Sequence, residues 1–120
     1  MPSTTTSRRG QVVVVNVPYT DRSGVKPRPA LVISSERFHR DLPDVIVCPI
    51  SSQSRFYRRP GPGDCSLRNW SSVGLRHPST VRVSKILAVD KHIVKRVLGS
   101  LSGPDLARVE ANVRQALDLT

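Results

Sequence analysis

Three short apolar runs, rich in β-branched residues and each touching a proline, set the fold class of this chain. They are QVVVVNVP (11–18), PALVIS (29–34) and DVIVCPI (44–50). β-Branched side chains pack well on a pleated surface, and runs this short make poor helices, so each predicts a strand. A fourth run, TVRVSKILAV (80–89), predicts a strand bent near Ser84. Polar stretches separate the runs. YTDRSGVKPR (19–28) reads as a turn-rich loop, and SERFHRDLP (35–43) has room for one helical turn before Pro43. Residues 51–79 read as a long irregular stretch with a short strand near Cys65 to Leu67.

The period changes towards the end. DKHIVKRVLG (90–99) sets Ile93, Val94, Val97 and Leu98 at helical spacing, with Asp90 as its cap and Gly99 as its end. SGPDLARVEANVRQALDL (102–119) predicts a second, clearer helix. Ser102 and Asp105 stand at capping-box spacing, and Leu106, Val109, Val113 and Leu117 make one apolar stripe. Strands followed by helix imply a mainly β (α+β) domain, a small strongly bent sheet or barrel with a helix laid on it.

The 120 residues suit one domain, taken as residues 10–120 behind a disordered tail at 1–9. That tail lacks the apolar stretch of a secretory signal, and no run approaches a membrane span. Cys48 and Cys65 form no CxxC pair, so two free thiols in a cytoplasmic protein is the simple reading. Nineteen Lys and Arg against nine Asp and Glu give a net charge of +10, which favours a polyanionic partner.

Four places could carry chemistry on such a partner. Arg28 stands between Pro27 and Pro29, which stiffen the backbone and limit where a forked, phosphate-matching guanidinium can point. Ser51 and Ser52 follow a strand end, where hydroxyls often line a site. Arg55, Arg58 and Arg59 interleave with Phe56 and Tyr57; cations would take phosphate while rings stack bases. Arg82 and Ser84 are two apart, which on one strand places them on one face. Solvated arginines and turn serines are the plain alternatives. His39, His77 and His92 show no pairing, although His77, before Pro78 in a loop, could contact RNA. No acidic cluster suits a two-metal nuclease and no glycine-rich phosphate loop is present, so no metal or cofactor is expected.

Together GQVVVVNVPYTD, KPRPALVIS, DVIVCPISSQ, VGLRHPSTVRVSKI and LGSLSGPDLARVEANV resemble the MazF/PemK family of toxin endoribonucleases, in order along residues 10–119. The resemblance implies an SH3-like barrel with a C-terminal helix, usually a homodimer. It implies a type II toxin that cuts single-stranded RNA without metal and is blocked by an acidic antitoxin. The family's arginine in the R-P motif falls on Arg28 and its catalytic Thr/Ser on Ser51. Lys26, Ser52, Gln53, Arg55, Tyr57, Arg58, Arg59, His77 and Arg82 are then expected to bind RNA. Ser84 stands where an aspartate is often found. A CcdB-like toxin binding a protein target, and an RNA-binding module with weakened catalysis, are the alternatives.

Overall fold

The computed structural model describes residues 7–18 and 25–119. Its strands are β1 (Gln11–Pro18), β2 (Val25–Val32), β3 (Asp44–Ser51), β4 (Asp64–Ser66), β5 (Thr80–Arg82), β6 (Leu87–Asp90) and β7 (Val94–Ser100). Its helices are α1 (Glu36–Asp41), α2 (Ser54–Arg58) and α3 (Gly103–Leu117). Every described pairing is antiparallel. The strands run in the order β4-β5-β3-β2-β1-β7, and β6 also pairs with β3. Among the described residues the sheet does not close into a full barrel. Of the tail expected at 1–9, residues 1–6 lie outside the described residues. Residues 7–9 are held: Ser7 carbonyl accepts from His39 Nδ1, and Arg9 pairs with Glu110 at 2.6 Å.

The prolines explain the sheet's branching. In a strand, alternate residues turn their backbone groups to opposite neighbours. Gly10 N–H donates to Val32 C=O, and Ile33 N–H donates to Ile46 C=O. Val32 therefore faces β1 and Ile33 faces β3. By alternation Pro27 and Pro29 lack donors on the β3 side, and the β2–β3 ladder ends at Ala30–Pro49. The β1–β2 ladder continues past both prolines. Pro49 serves the opposite edge of β3. It stands where β3 leaves β6 after Val47 and takes up β5 at Ile50.

The bent sheet closes over two apolar clusters. One gathers Val12, Leu31, Ile50, Val81 and Val109; the other gathers Val13, Val15, Val32, Val45 and Val47. Successive residues of β1 point into different clusters, as strand alternation requires. Both free thiols are buried in the first cluster. Burial pushes Cys48 up to about 12 and raises Cys65, with nearby Arg108 partly offsetting the latter. The thiolate is the reactive form, so native protein should give no fast phase with a thiol reagent at about pH 8. In denaturant both cysteines should react; fast stoichiometric labelling of the native protein would contradict their burial.

Segment 90–99 is not a helix. After one 3₁₀ turn (Lys91–Ile93), it forms β7 against β1. The register shifts twice, leaving Lys95 and Leu98 without partners opposite. An extra residue in a strand resets the alternation, so Val94 and Val97 both pack on the second cluster. Three-residue spacing on one face is what a helix would also give. Asp90 does cap, but the 3₁₀ turn, accepting from His92 N–H. His92 is exposed beside it.

The helix α3 forms as its sequence predicts. Ser102 Oγ accepts from Asp105 N–H at the N-terminus, and Val109 is fully buried with Leu106 and Val113 beside it. Leu117, at 50% exposure, runs off the end of the stripe. The reciprocal half of the capping box is absent. Asp105 instead accepts from the backbone N–H groups of Arg68 and Asn69, anchoring the loop before the first residues of α3. Gly10 lies where this helix crosses β1. Its φ of +94 selects glycine, and a Cβ there would sit 3.0 Å from Leu106 Cδ2, at the tip of that side chain.

Candidate functional site

Beyond Ala30–Pro49 the strands β2 and β3 part, and the fork holds Arg28 on one side and Ser51 on the other. The ladder pairs Ala30 with Pro49 and Leu31 with Cys48. Arg28 and Ser51 each stand two residues past that last pair, one on each arm of the fork. Both also share a face by alternation: Arg28 with Ala30 and Val32, Ser51 with Val45 and Val47. Strand β2 starts at Val25, so Arg28 sits inside a strand rather than at its start. Lys26 is two residues earlier on the same face; both are exposed.

Ser51 leads straight into α2. Its Oγ accepts from Gln53 N–H at 3.2 Å, a local bond that turns the chain out of the strand. What reads in the sequence as irregular loop is here the short helix Ser54–Arg58. Between this helix and the segment before β5 lies a cleft of about 480 Å³. Ser52, Ser54, Tyr57, Arg58, His77 and Pro78 line it. The structure thus brings Ser52, Tyr57, Arg58 and His77 together across more than twenty residues of sequence. Gln53, Arg55 and Arg59 are exposed on the same short segment.

The helix is held at Tyr57, through both its side chain and its backbone. Tyr57 Oη donates to Leu67 C=O at 2.9 Å, and Ser66 Oγ donates to Tyr57 C=O at 2.9 Å. The Phe56 ring carries two guanidinium groups, Arg82 at 3.7 Å and Arg55 at 4.7 Å from its centroid. Cation–π contact of this kind occupies a ring that the sequence offers for base stacking. Arg82 in turn donates from Nε to Asp64 Oδ1 at 2.7 Å. The Asp64 side chain is 2% exposed and that of Arg82 is 20%. Asp64 and Arg82 are direct cross-strand partners on β4 and β5.

Arg82 therefore ties β4, β5 and α2 together. Ser84 does not share its face: β5 ends at Arg82, and Val83–Lys85 is a 3₁₀ turn with Ser84 exposed. His39 is buried away from this region, its ring between Ser34 Oγ and the Ser7 carbonyl. With Nδ1–H donating to that carbonyl, Nε2 accepts from Ser34, whose oxygen accepts from Ile46 N–H. Its role is to join α1 to the sheet. Sequence reasoning missed Ser54, whose hydroxyl faces the cleft only because the segment is helical. It also missed Asp64, which in PGPGD reads as a turn residue. Among the described residues, no group of three or more His, Cys, Asp or Glu side chains could hold a metal ion.

Residues 8–117 match the family described as PemK-like, MazF-like toxin of type II toxin–antitoxin system. The chain belongs to that family. Solved structures of MazF type share its architecture. An endoribonuclease in complex with its cognate antitoxin, from a mycobacterial species, superposes with a TM-score of 0.77 at 21% identity, covering 95% of this chain and 97% of that one. MazF in the MazE–MazF complex of Deinococcus radiodurans gives 0.76 at 22%, covering 96% and 99%. Mycobacterium tuberculosis toxin MazF-mt6 gives 0.69 at 20%, covering 90% and 98%. No curated protein matches by sequence. The mainly antiparallel sheet with a C-terminal helix is the MazF-like fold, compatible with an SH3-like description. Among the described residues no helix is long and apolar enough to cross a membrane.

Proposed function

We propose that this MazF-like chain is a toxin that cleaves single-stranded RNA without a metal ion, within one domain spanning residues 10–120. The observation that supports this reading is the fork between β2 and β3, whose two arms carry Arg28 and Ser51, with a basic, hydroxyl-lined cleft beginning at Ser52.

The attacking group is the RNA's own 2′-OH. It gives its proton to water, its oxygen bonds to the adjacent phosphorus, and the bond from phosphorus to the 5′ oxygen breaks, that oxygen taking its proton from water. The products are a 2′,3′-cyclic phosphate and, once the leaving oxygen takes up a proton, a 5′-OH. Negative charge builds on the phosphoryl oxygens. A guanidinium keeps its proton at neutral pH, which makes Arg28 a poor base and a good stabiliser of that charge. Ser51 has its oxygen engaged by Gln53 N–H, leaving the hydroxyl proton to donate to phosphate.

The remaining groups position the strand. Ser52, Tyr57, Arg58 and His77 take the nucleotide in the cleft, while Lys26, Gln53, Arg55 and Arg59 flank the phosphate path. Arg82 keeps guanidinium donors for phosphate while its Nε holds Asp64. The partner that silences the toxin is an acidic antitoxin; the net charge of +10 supplies the complement. The active form is a homodimer in the cytoplasm.

Purified protein incubated with a long RNA in EDTA should give discrete fragments with 5′-OH ends, and a DNA of the same sequence should remain intact. Intact RNA that is nevertheless bound would replace this reading with a non-cleaving RNA-binding module.

A further inference from the structure

Thr80 Oγ1 is buried without a hydrogen-bond partner among the described residues. A buried hydroxyl with no partner is a standing cost to the fold. Valine has nearly the same shape and would carry no such cost. The neighbours Val81 and Val83 show that β-branched apolar residues suit this segment. Something other than packing accounts for the hydroxyl.

Its location narrows the choice. Thr80 lies directly opposite Ser51 in the β3–β5 ladder and directly opposite Ser66 in the β4–β5 ladder. Three hydroxyls therefore form a row across one face of three strands. Ser66 is engaged, donating to the Tyr57 carbonyl. Ser51 accepts one bond, from Gln53 N–H. A hydroxyl has one proton and two lone pairs, so Ser51 keeps a second lone pair. Side chains directly opposite in an antiparallel pair have Cβ atoms about 4.5–5.5 Å apart, so a χ1 turn brings the two oxygens within bonding distance.

We propose that Thr80 is a positioning residue for Ser51. When a substrate phosphate accepts the Ser51 proton, Thr80 O–H donates to the second lone pair of Ser51 Oγ. Serine has no γ-methyl to restrain χ1, and the Thr80 hydroxyl supplies that restraint while polarising the Ser51 O–H bond. This rests on the RNA-cleaving reading and adds a residue to it.

The test compares wild type, Thr80→Val, Thr80→Ser, Ser51→Ala and the Ser51→Ala/Thr80→Val double variant in RNA cleavage and thermal melting. Thr80→Val should lower kcat roughly tenfold with little change in KM, the scale of one lost hydrogen bond. Its Tm should stay level or rise, because a buried orphan hydroxyl is gone. Thr80→Ser should recover most of the lost rate, and the double variant should be no slower than Ser51→Ala alone. A wild-type rate in Thr80→Val, equal slowing in Thr80→Val and Thr80→Ser, or additive losses in the double variant would each overturn the proposal. If wild type leaves every RNA intact, the RNA-cleaving reading fails and this proposal with it. If wild type cleaves and Thr80→Val matches it, this proposal alone fails.

Discussion

Arg28→Ala should slow RNA cleavage by roughly 10²–10³-fold, the usual loss when one preorganised donor to a developing negative charge is removed. The fold should barely respond. The side chain is exposed, and the backbone at this position is held by the β1 ladder, where Arg28 pairs with Val15. Pro27 and Pro29 keep the strand extended whatever side chain stands between them. Arg28→Lys should recover part of the rate, because a point charge remains but the planar fork does not. Single-turnover cleavage and a thermal melt on the same preparations measure both sides. A variant that melts with wild type and cuts within threefold of it would remove Arg28 from the chemistry. The function would then have to rest on the cleft around Tyr57 and His77.

The strands around this arginine were legible because their side chains alternate between two buried clusters, which selects runs of apolar residues, many of them β-branched. The final helix was legible for the same reason in another period, from Leu106 to Val113. Legibility failed where local irregularity imitates a different period. Two bulges in β7 put Val94 and Val97 on one face, and a spacing of three then reads as helix. It failed again at 54–58, where five residues are too few to show amphipathic repetition. At the site, Arg28 could be picked out by its flanking prolines and Ser51 by its place at a strand end, but the fork that carries them on its two arms depends on a register no local pattern encodes. The use of Phe56 was hidden for a related reason. Whether an aromatic ring is available depends on what covers it, and Arg82 comes from a strand twenty-six residues away.

That ring, with Asp64 and Arg82, leads to the largest expected loss of stability. Asp64→Ala should destabilise the fold by about 3 kcal/mol, the low end for a buried ion pair that loses one member, since Arg82 keeps some access to water. The carboxylate is almost wholly buried and accepts two bonds, from Arg82 Nε and from Gly61 N–H at 2.9 Å. Its removal leaves the largely buried Arg82 cation without its carboxylate and frees the turn at Gly61. Because Arg82 also lies on Phe56, α2 should loosen as well, so KM for RNA should rise more than kcat falls. The double variant Asp64→Ala/Arg82→Ala should be less destabilised than the two single losses added together, because the second deletion removes the stranded charge. Urea unfolding of the four proteins gives the coupling directly. Strict additivity, or a loss under 1 kcal/mol for Asp64→Ala, would mean that water compensates the arginine. The position of α2 would then rest on the hydrogen bonds of Tyr57 alone.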